Sequence, residues 1–561
     1  MVDLPYPFGP AKYGREWLKT TAKYHNLGRY GRGYWLHLVD IASQQNSPPH
    51  CHSSLAVAGR GDPGYSSAIY PTPLARWLGL LGGWVFYVSL LQYRIPHFGR
   101  LGLFYGILAA ATFQALLALL QFTVPSAIPA WLAYPMLNGR PYGVFQQVNV
   151  LASFMTTGLA LALMLFLLPG FTLTHRTSER CRQCILGLAL VLLSVVLVWL
   201  QSRIGWLTGG LVGILLLLLG WGQAKKQTSI ALGLMIFGIV NAIFFQMAGS
   251  IDPVEHAASN QARLIMLHDT LKMIAEKPWL GWGYGGFEYS FQHYRLGAGL
   301  STLGLGVVRH PHNELLLWWA EGGIVALTGM AVILFAGARL VQQTWRKNRQ
   351  WQPLGKQRAG ESLALAVALL PLLLHSQTEY PFTLAATGWA IFLLLLAQWD
   401  RQISTAAERT PLSPATTRFW RGTLSAISAT AFMLASIGLY ANLSITAFER
   451  NQLLDIEPAR RAMNIDLWVN TERWQYDKYA HSLLVFNQTR APQLLDNYAH
   501  WAQSYLSRRI DKNVYAAWLA IAQYQQDATT HHYLRQEAQA LFPDDPRFLT
   551  DFIYPQQEAA L

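Results

Sequence analysis

The chain has 561 residues, of which 52% are hydrophobic and 13% charged, with 21 tryptophans and a formal charge of +13. A soluble domain carries about 25% charged residues, so this composition excludes an ordinary water-soluble globular fold. The basic excess falls mostly in short loops between apolar runs, where Lys and Arg orient spans. No nucleic-acid partner is therefore expected.

Residues 1–75 are polar and basic, with neither an apolar signal region nor a capped amphipathic pattern, and we expect little order there. Apolar runs of roughly 20 residues, the length that crosses a bilayer, then recur. We read ten spans: 76–93, 101–123, 147–169, 184–201, 204–222, 228–248, 314–338, 361–376, 383–399 and 421–443. The fold class is an all-α polytopic membrane protein. Alternate loops hold Arg94 and Arg100; His175, Arg176, Arg180 and Arg182; Lys225 and Lys226; Arg346, Lys347, Arg349, Lys356 and Arg358; and Arg401, Arg409, Arg418 and Arg421. Such loops belong on the cytoplasmic side. Segments 124–146, Ser202-Arg203, 249–313, His375 to Pro381 and everything after 443 then face outward. Domain boundaries follow: a polar segment 1–75, membrane helices 76–248, an outward loop 249–313, membrane helices 314–443 and a helical tail 444–561.

The outward segments carry the chemistry. Gln147 and Asn149 open the third span. Cys181 and Cys184 form a lone C-x-x-C with no second pair to complete a zinc set, so a reduced pair in a cytoplasmic loop is the plainer reading. Arg203 lies between two closely spaced spans, where a guanidinium is costly without an anionic or carbonyl partner. A snorkelling interfacial arginine is the simpler alternative. Arg263 belongs to an amphipathic helix with apolar residues at 264, 267, 271 and 274, which runs into Lys277-Pro278-Trp279-Leu280-Gly281-Trp282-Gly283. His310-Pro311-His312-Asn313-Glu314 opens the seventh span. A neutral imidazole there suits abstraction of a hydroxyl proton near pH 7. His310, His312 and Glu314 could instead ligate zinc, but that pattern alone is weak, and we expect no metal. Glu321 lies roughly two helical turns further on and reads as a supporting carboxylate. His375-Ser376-Gln377-Thr378-Glu379-Tyr380 closes the eighth span. Any one of these could be hairpin decoration; five separated segments converging on one face argue for a site. In the tail, apolar residues recur at helical spacing and Ala538 to Pro546 resembles the close of a tetratricopeptide-type helix pair, which we expect to dock on the membrane helices.

These pieces together resemble the Wzy-C superfamily of O-antigen ligases, O-antigen polymerases and PglL-type protein O-oligosaccharyltransferases. The matching residues are Arg140 to Asn149, Ser202-Arg203, Arg263 with Pro278 to Gly283, His310 to Leu316 and Glu321-Gly322-Gly323. His375 to Phe382 and the helical tail are most similar to the PglL branch. Relatives begin with additional spans where a polar stretch stands here. The resemblance implies a GT-C-like fold and en bloc transfer of a glycan from undecaprenyl diphosphate, without metal, nucleotide or other cofactor. It implies a multi-pass protein of the bacterial inner membrane with its active site in the periplasm. It assigns catalytic roles to His312, Arg203, Arg263 and Tyr380, and substrate contact to Gln147. We add Asn149, Asn313, His310, Glu321, Glu379 and His375 as substrate-binding or positioning candidates, with Asn313 or Glu321 orienting His312. The acceptor could be a pilin-like protein, a lipid A core or a growing glycan. A transporter of lipid-linked glycans is the rival from another class; it requires charges near span midpoints, whereas these gather at span ends.

Overall fold

The computed structural model describes residues 73–92, 95–129, 139–145, 147–250, 257–351, 360–404 and 413–553. Most of the polar segment 1–75 lies outside these residues. The described chain is helical, with no β-strand. Nine helices build the bundle: α1 (Pro73–Gln92), α2 (His97–Thr123), α3 (Val148–Leu167), α4 (Arg176–Trp199), α5 (Arg203–Trp221), α6 (Lys225–Phe245), then α9 (Glu314–Trp351), α10 (Glu361–His375) and α12 (Ala386–Ile403). Between α6 and α9 lie α7 (Ala257–Glu276) and α8 (Phe287–Gly297), and a single turn, α11 (Pro381–Leu384), precedes α12. Helix α13 (Pro414–Arg450) leads into the tail helices α14 (Glu457–Met463), α15 (Thr471–Thr489), α16 (Gln493–Leu506), α17 (Lys512–Tyr524) and α18 (Ala528–Leu541).

Seven helices, α2 to α6, α9 and α13, are long and apolar enough to cross a membrane. The other three expected spans are present as helices: α1 has 20 residues, α10 has only 15, and α12 carries Gln398, Asp400 and Arg401 near its end. Span 184–201 begins earlier than its apolar run, because Arg182 turns inward to Glu179 and the Leu165 carbonyl and so remains within a helix. Cys181 and Cys184 accordingly sit exposed on α4 rather than in a loop. Helix α3 is the axis of the bundle. Its whole apolar window is buried against α2, α4, α5 and α10, whereas the apolar window of α9 is unburied, as expected of a helix facing lipid. Gly158 allows α2 its close approach: a Cβ there would lie 2.4 Å from the Ala111 methyl carbon.

The two sets of loops fall at opposite ends of the bundle. At one end Arg100 pairs with Glu361 at 3.2 Å, and Lys347 donates to the carbonyls of Gln402 and Ile403. At the other end the starts of α3, α5 and α9 meet the close of α10. There α9 is broken at Gly323, whose φ of 60° and ψ of −156° suit only glycine. Ile324 N–H donates to the Pro278 carbonyl, while Trp282 and Gly283 N–H donate to the freed carbonyls of Ala320 and Glu321. The Gly-Trp-Gly loop is thus spliced into the helix, and its N–H groups take up two of the carbonyls that the break frees.

The tail docks only in part as expected. Its core, built around Phe486, Trp501, Tyr515 and Phe548, packs on Tyr289, Leu296 and Val307 of the outward loop, while α14, through Ala459, Ala462 and Met463, packs on the end of membrane-capable α13. Polar ties reinforce this contact: Glu288 accepts from Ile510 N–H, His293 faces Glu537, and Thr302 donates to the Ala540 carbonyl. Amphipathic α8 thereby presents one face to the tail and another, through Phe287 and Phe291, to α7 and α9.

Candidate active site

The cavity at this end has a volume of about 370 Å³ and is lined by Arg263, Met266, Val308, Arg309, His310, His312 and Tyr380, with Ser259, Ala262, Leu305 and Val307 at its margin. Beneath it lies Glu379. Its Oε2 accepts from Gln147 Nε2 at 2.6 Å and lies 3.1 Å from His375 Nε2, while its Oε1 accepts from Asn149 Nδ2 at 2.7 Å. Arg263 Nη2 reaches the same Oε1 at 3.5 Å. Burial works to raise this carboxyl, but hydrogen bonds from His375 and Asn149 and the nearby His312 hold it below the usual carboxylate range. Asn149 also accepts from the Ser202 hydroxyl at 2.7 Å, which fixes the start of α5 beside the start of α3. Next along that helix, Arg203 donates to Asn260 on α7 and lies close enough to Arg263 to disfavour its charge. Two guanidiniums thus face one another, with a single weak contact to a carboxylate.

His312 adopts a left-handed backbone, φ 54°, which costs a residue bearing a Cβ and is held by its surroundings. Its N–H donates to His310 Nδ1 at 2.9 Å. His310 is nearly fully buried and stacks on Tyr380 at 4.1 Å between ring centroids. Burial, reinforced by His312 and Arg76, lowers its pKa far below 6.5, so it is neutral; with Nδ1 accepting, its proton resides on Nε2. His312 is likewise pushed below 6.5 by burial; Glu379 and the Thr378 backbone oppose that shift, and Arg263 adds to it. Its Nδ1 is buried with no hydrogen-bond partner among the described residues, in a side chain that lines the cavity. A general base at 312 must be neutral to accept a proton, so the acid limb of kcat/KM is expected to be centred below pH 6.5. An acid limb centred above pH 6.5 in a pH–rate profile would contradict this placement.

Other expected residues are placed differently. Asn313 caps α9 by accepting from Leu316 N–H and donates to the Gln377 carbonyl, so it orients the helix start rather than the imidazole. Glu321 is buried within α9, where it pairs with Arg76 at 2.8 Å and accepts from Phe287 N–H. The charge of Arg76 captures it, and the backbone of Thr378 serves His312 instead. Arg76, read from sequence as the first residue of a span, is therefore an interior counter-ion. Arg140, which lies within the Arg140–Asn149 motif, is close enough to feel the charge of Glu379. Arg309 lines the cavity and faces Glu288 at 3.7 Å. In the sequence Arg140 opens one quoted motif and Arg309 directly precedes another, with no role assigned to either. Among the described residues no three His, Cys, Asp or Glu side chains are gathered to hold a metal ion.

The fold and this arrangement define a polytopic helical membrane protein with a cationic, imidazole-lined cavity at one end of its bundle. The chain matches the O-antigen ligase family over residues 188–331, the C-terminal part of the virulence factor membrane-bound polymerase family over 363–553 and the protein glycosylation ligase family over 141–166. These matches support the Wzy-C superfamily, with features of the protein glycosylation ligases. Comparison with curated proteins gives no match. The three matched regions between them contain the cavity residues Arg263, His310 and His312 (first) and Tyr380 (second), together with Arg203 in the first, Gln147 and Asn149 in the third, and His375 and Glu379 in the second.

Proposed function

We propose that the protein transfers an oligosaccharide en bloc from undecaprenyl diphosphate to a serine or threonine hydroxyl of a periplasmic protein such as a pilin, at the outer face of the bacterial inner membrane. The acceptor oxygen attacks the anomeric carbon, its proton passes to His312 Nδ1, and the carbon–oxygen bond to the phosphate breaks with inversion. Departing diphosphate takes the bonding pair. Arg203 and Arg263 meet the growing charge, because a guanidinium fork binds phosphate oxygens bidentately and stays charged. Tyr380 and Gln147 position the donor. The unpartnered Nδ1 of His312, in a side chain that lines the same cavity as Arg263, is the observation that carries this reading.

The rival acceptors are separated by offering them together. Full-length protein in proteoliposomes, given a synthetic lipid-linked oligosaccharide, is expected to glycosylate a pilin-like protein and release polyprenyl diphosphate. Transfer confined to a lipid A core or a second glycan would assign ligase or polymerase activity instead. Movement of the glycan lipid between leaflets with no bond cleaved would overturn the enzyme reading in favour of a transporter. The break in α9 argues against a transport path, because loop 278–283 fills it.

A further inference from the structure

Residues Ile465 to Val469, between α14 and α15, form a loop whose sequence, Ile-Asp-Leu-Trp-Val, is apolar except for one carboxylate. Ile465 is 54% exposed, Leu467 71%, Trp468 65% and Val469 59%, while Asp466 is buried. Four large apolar side chains turned outward in five residues are not the usual surface of a water-facing domain, where such residues scatter singly. The backbone beneath them is unusual too. Asp466 folds back to accept from the N–H groups of Trp468, Val469 and Asn470, the Val469 bond being 2.8 Å, and from the Asn470 side chain. A turn in which the N–H groups of Trp468, Val469 and Asn470 are internally satisfied is suited to a region with little water, where an unpaired N–H is costly.

Its position relative to α13 says what it meets. Val469 packs on Gly438 at the distance of a tight contact, and Asn470 Nδ2 donates to the Gly438 carbonyl at 2.9 Å. Helix α13 is one of the seven membrane-capable helices, and no charged residue stands between Arg421 and Glu449. Gly438 lies roughly 25 Å beyond Arg421 at 1.5 Å of rise per residue, close to where a hydrocarbon layer of about 30 Å ends. Phe432, Met433, Leu439 and Tyr440 are exposed on the same stretch of helix. The loop therefore continues a lipid-facing surface at the depth where tryptophan collects, and exposed Arg461 stands nearby to meet anionic headgroups.

We infer that the loop Ile465–Val469 is a membrane anchor: Leu467 and Trp468 enter the interfacial layer of the same bilayer that α13 crosses and hold the helical tail against the membrane surface. The occupant is lipid, and a protein partner is the alternative that the test separates. The test uses full-length protein in vesicles of phosphatidylethanolamine and phosphatidylglycerol, with Cys51, Cys181 and Cys184 changed to Ser and a single environment-sensitive fluorophore on Trp468→Cys. A label at exposed Asn497 on α16 (Asn497→Cys) serves as the reference. The 468 label is expected to emit several nanometres to the blue of the 497 label, to be quenched at least twofold more by lipids spin-labelled near the headgroup, and to resist aqueous iodide. Quenching of the 468 label by iodide to the same extent as the 497 label, with no effect of spin-labelled lipid, would overturn the inference and make the loop a face for protein. Leu467→Cys, also exposed, repeats the measurement should the tryptophan variant fail to fold.

Discussion

Replacing His312 with Asn is expected to lower glycan transfer by about 10²–10⁴-fold, the range that a positioned general base contributes. Asparagine is the informative replacement because it tolerates the left-handed backbone that His312 adopts, φ 54°, and so removes the base without adding strain. Its amide cannot accept the hydroxyl proton. Glu379 keeps its contacts with Gln147, Asn149, His375 and Arg263, so thermal stability should stay close to that of the parent. The measurement is turnover of lipid-linked oligosaccharide in proteoliposomes with acceptor in excess. Turnover at the parental rate would remove His312 as base, and loss of turnover together with loss of stability would assign it a structural role.

Gly323→Ala should have the largest structural effect of any single methyl in the chain. A Cβ at 323 would lie 2.2 Å from the Trp279 carbonyl oxygen, and the loop backbone there has no flexible side chain that could yield. The φ and ψ of Gly323 lie in a region that costs a residue with a Cβ about 1–3 kcal/mol before any clash is counted. The expected outcome is expulsion of loop 278–283 from the break in α9, seen as a lower melting temperature in detergent, faster proteolysis near Trp279 and loss of transfer. Gly329, two turns further along the same helix with open space around it, provides the control. Gly329→Ala is expected to leave all three readouts unchanged, and a Gly323 variant indistinguishable from it would sink the account of the spliced loop.

How much could be read in advance varies with the range of the interaction. Apolar runs announce spans because lipid imposes one requirement on twenty consecutive residues, and that is how α2 to α6, α9 and α13 were legible. Helix α10 is too short to meet that requirement and α12 carries charge near its end, yet α10 packs against α3 and α9, and α12 against α10, α1 and α9. Polar residues at span ends flagged Gln147, Arg203, His312 and Glu379 individually. That Glu379 gathers partners about 230 positions away could not be read, because no local pattern encodes which distant helix end arrives beside it. Glu321 shows the same limit from the other side: its helical spacing from His312 was correct, but Arg76, 245 positions earlier, claims it. Glu321-Gly322-Gly323 read as ordinary helix, since nothing in three residues says that a loop will be inserted there.

The saturation of Glu379 has a consequence for how an anionic donor could be received. Arg263 is its most loosely held companion, at 3.5 Å, while two amides and an imidazole hold the carboxylate more closely. A diphosphate arriving in the cavity can draw the guanidinium away and leave no buried negative charge orphaned behind it, because the remaining donors continue to solvate the carboxylate. The empty protein thus keeps its cation parked on a spare ligand, and loading becomes an exchange of one anion for another with little penalty for the vacated one.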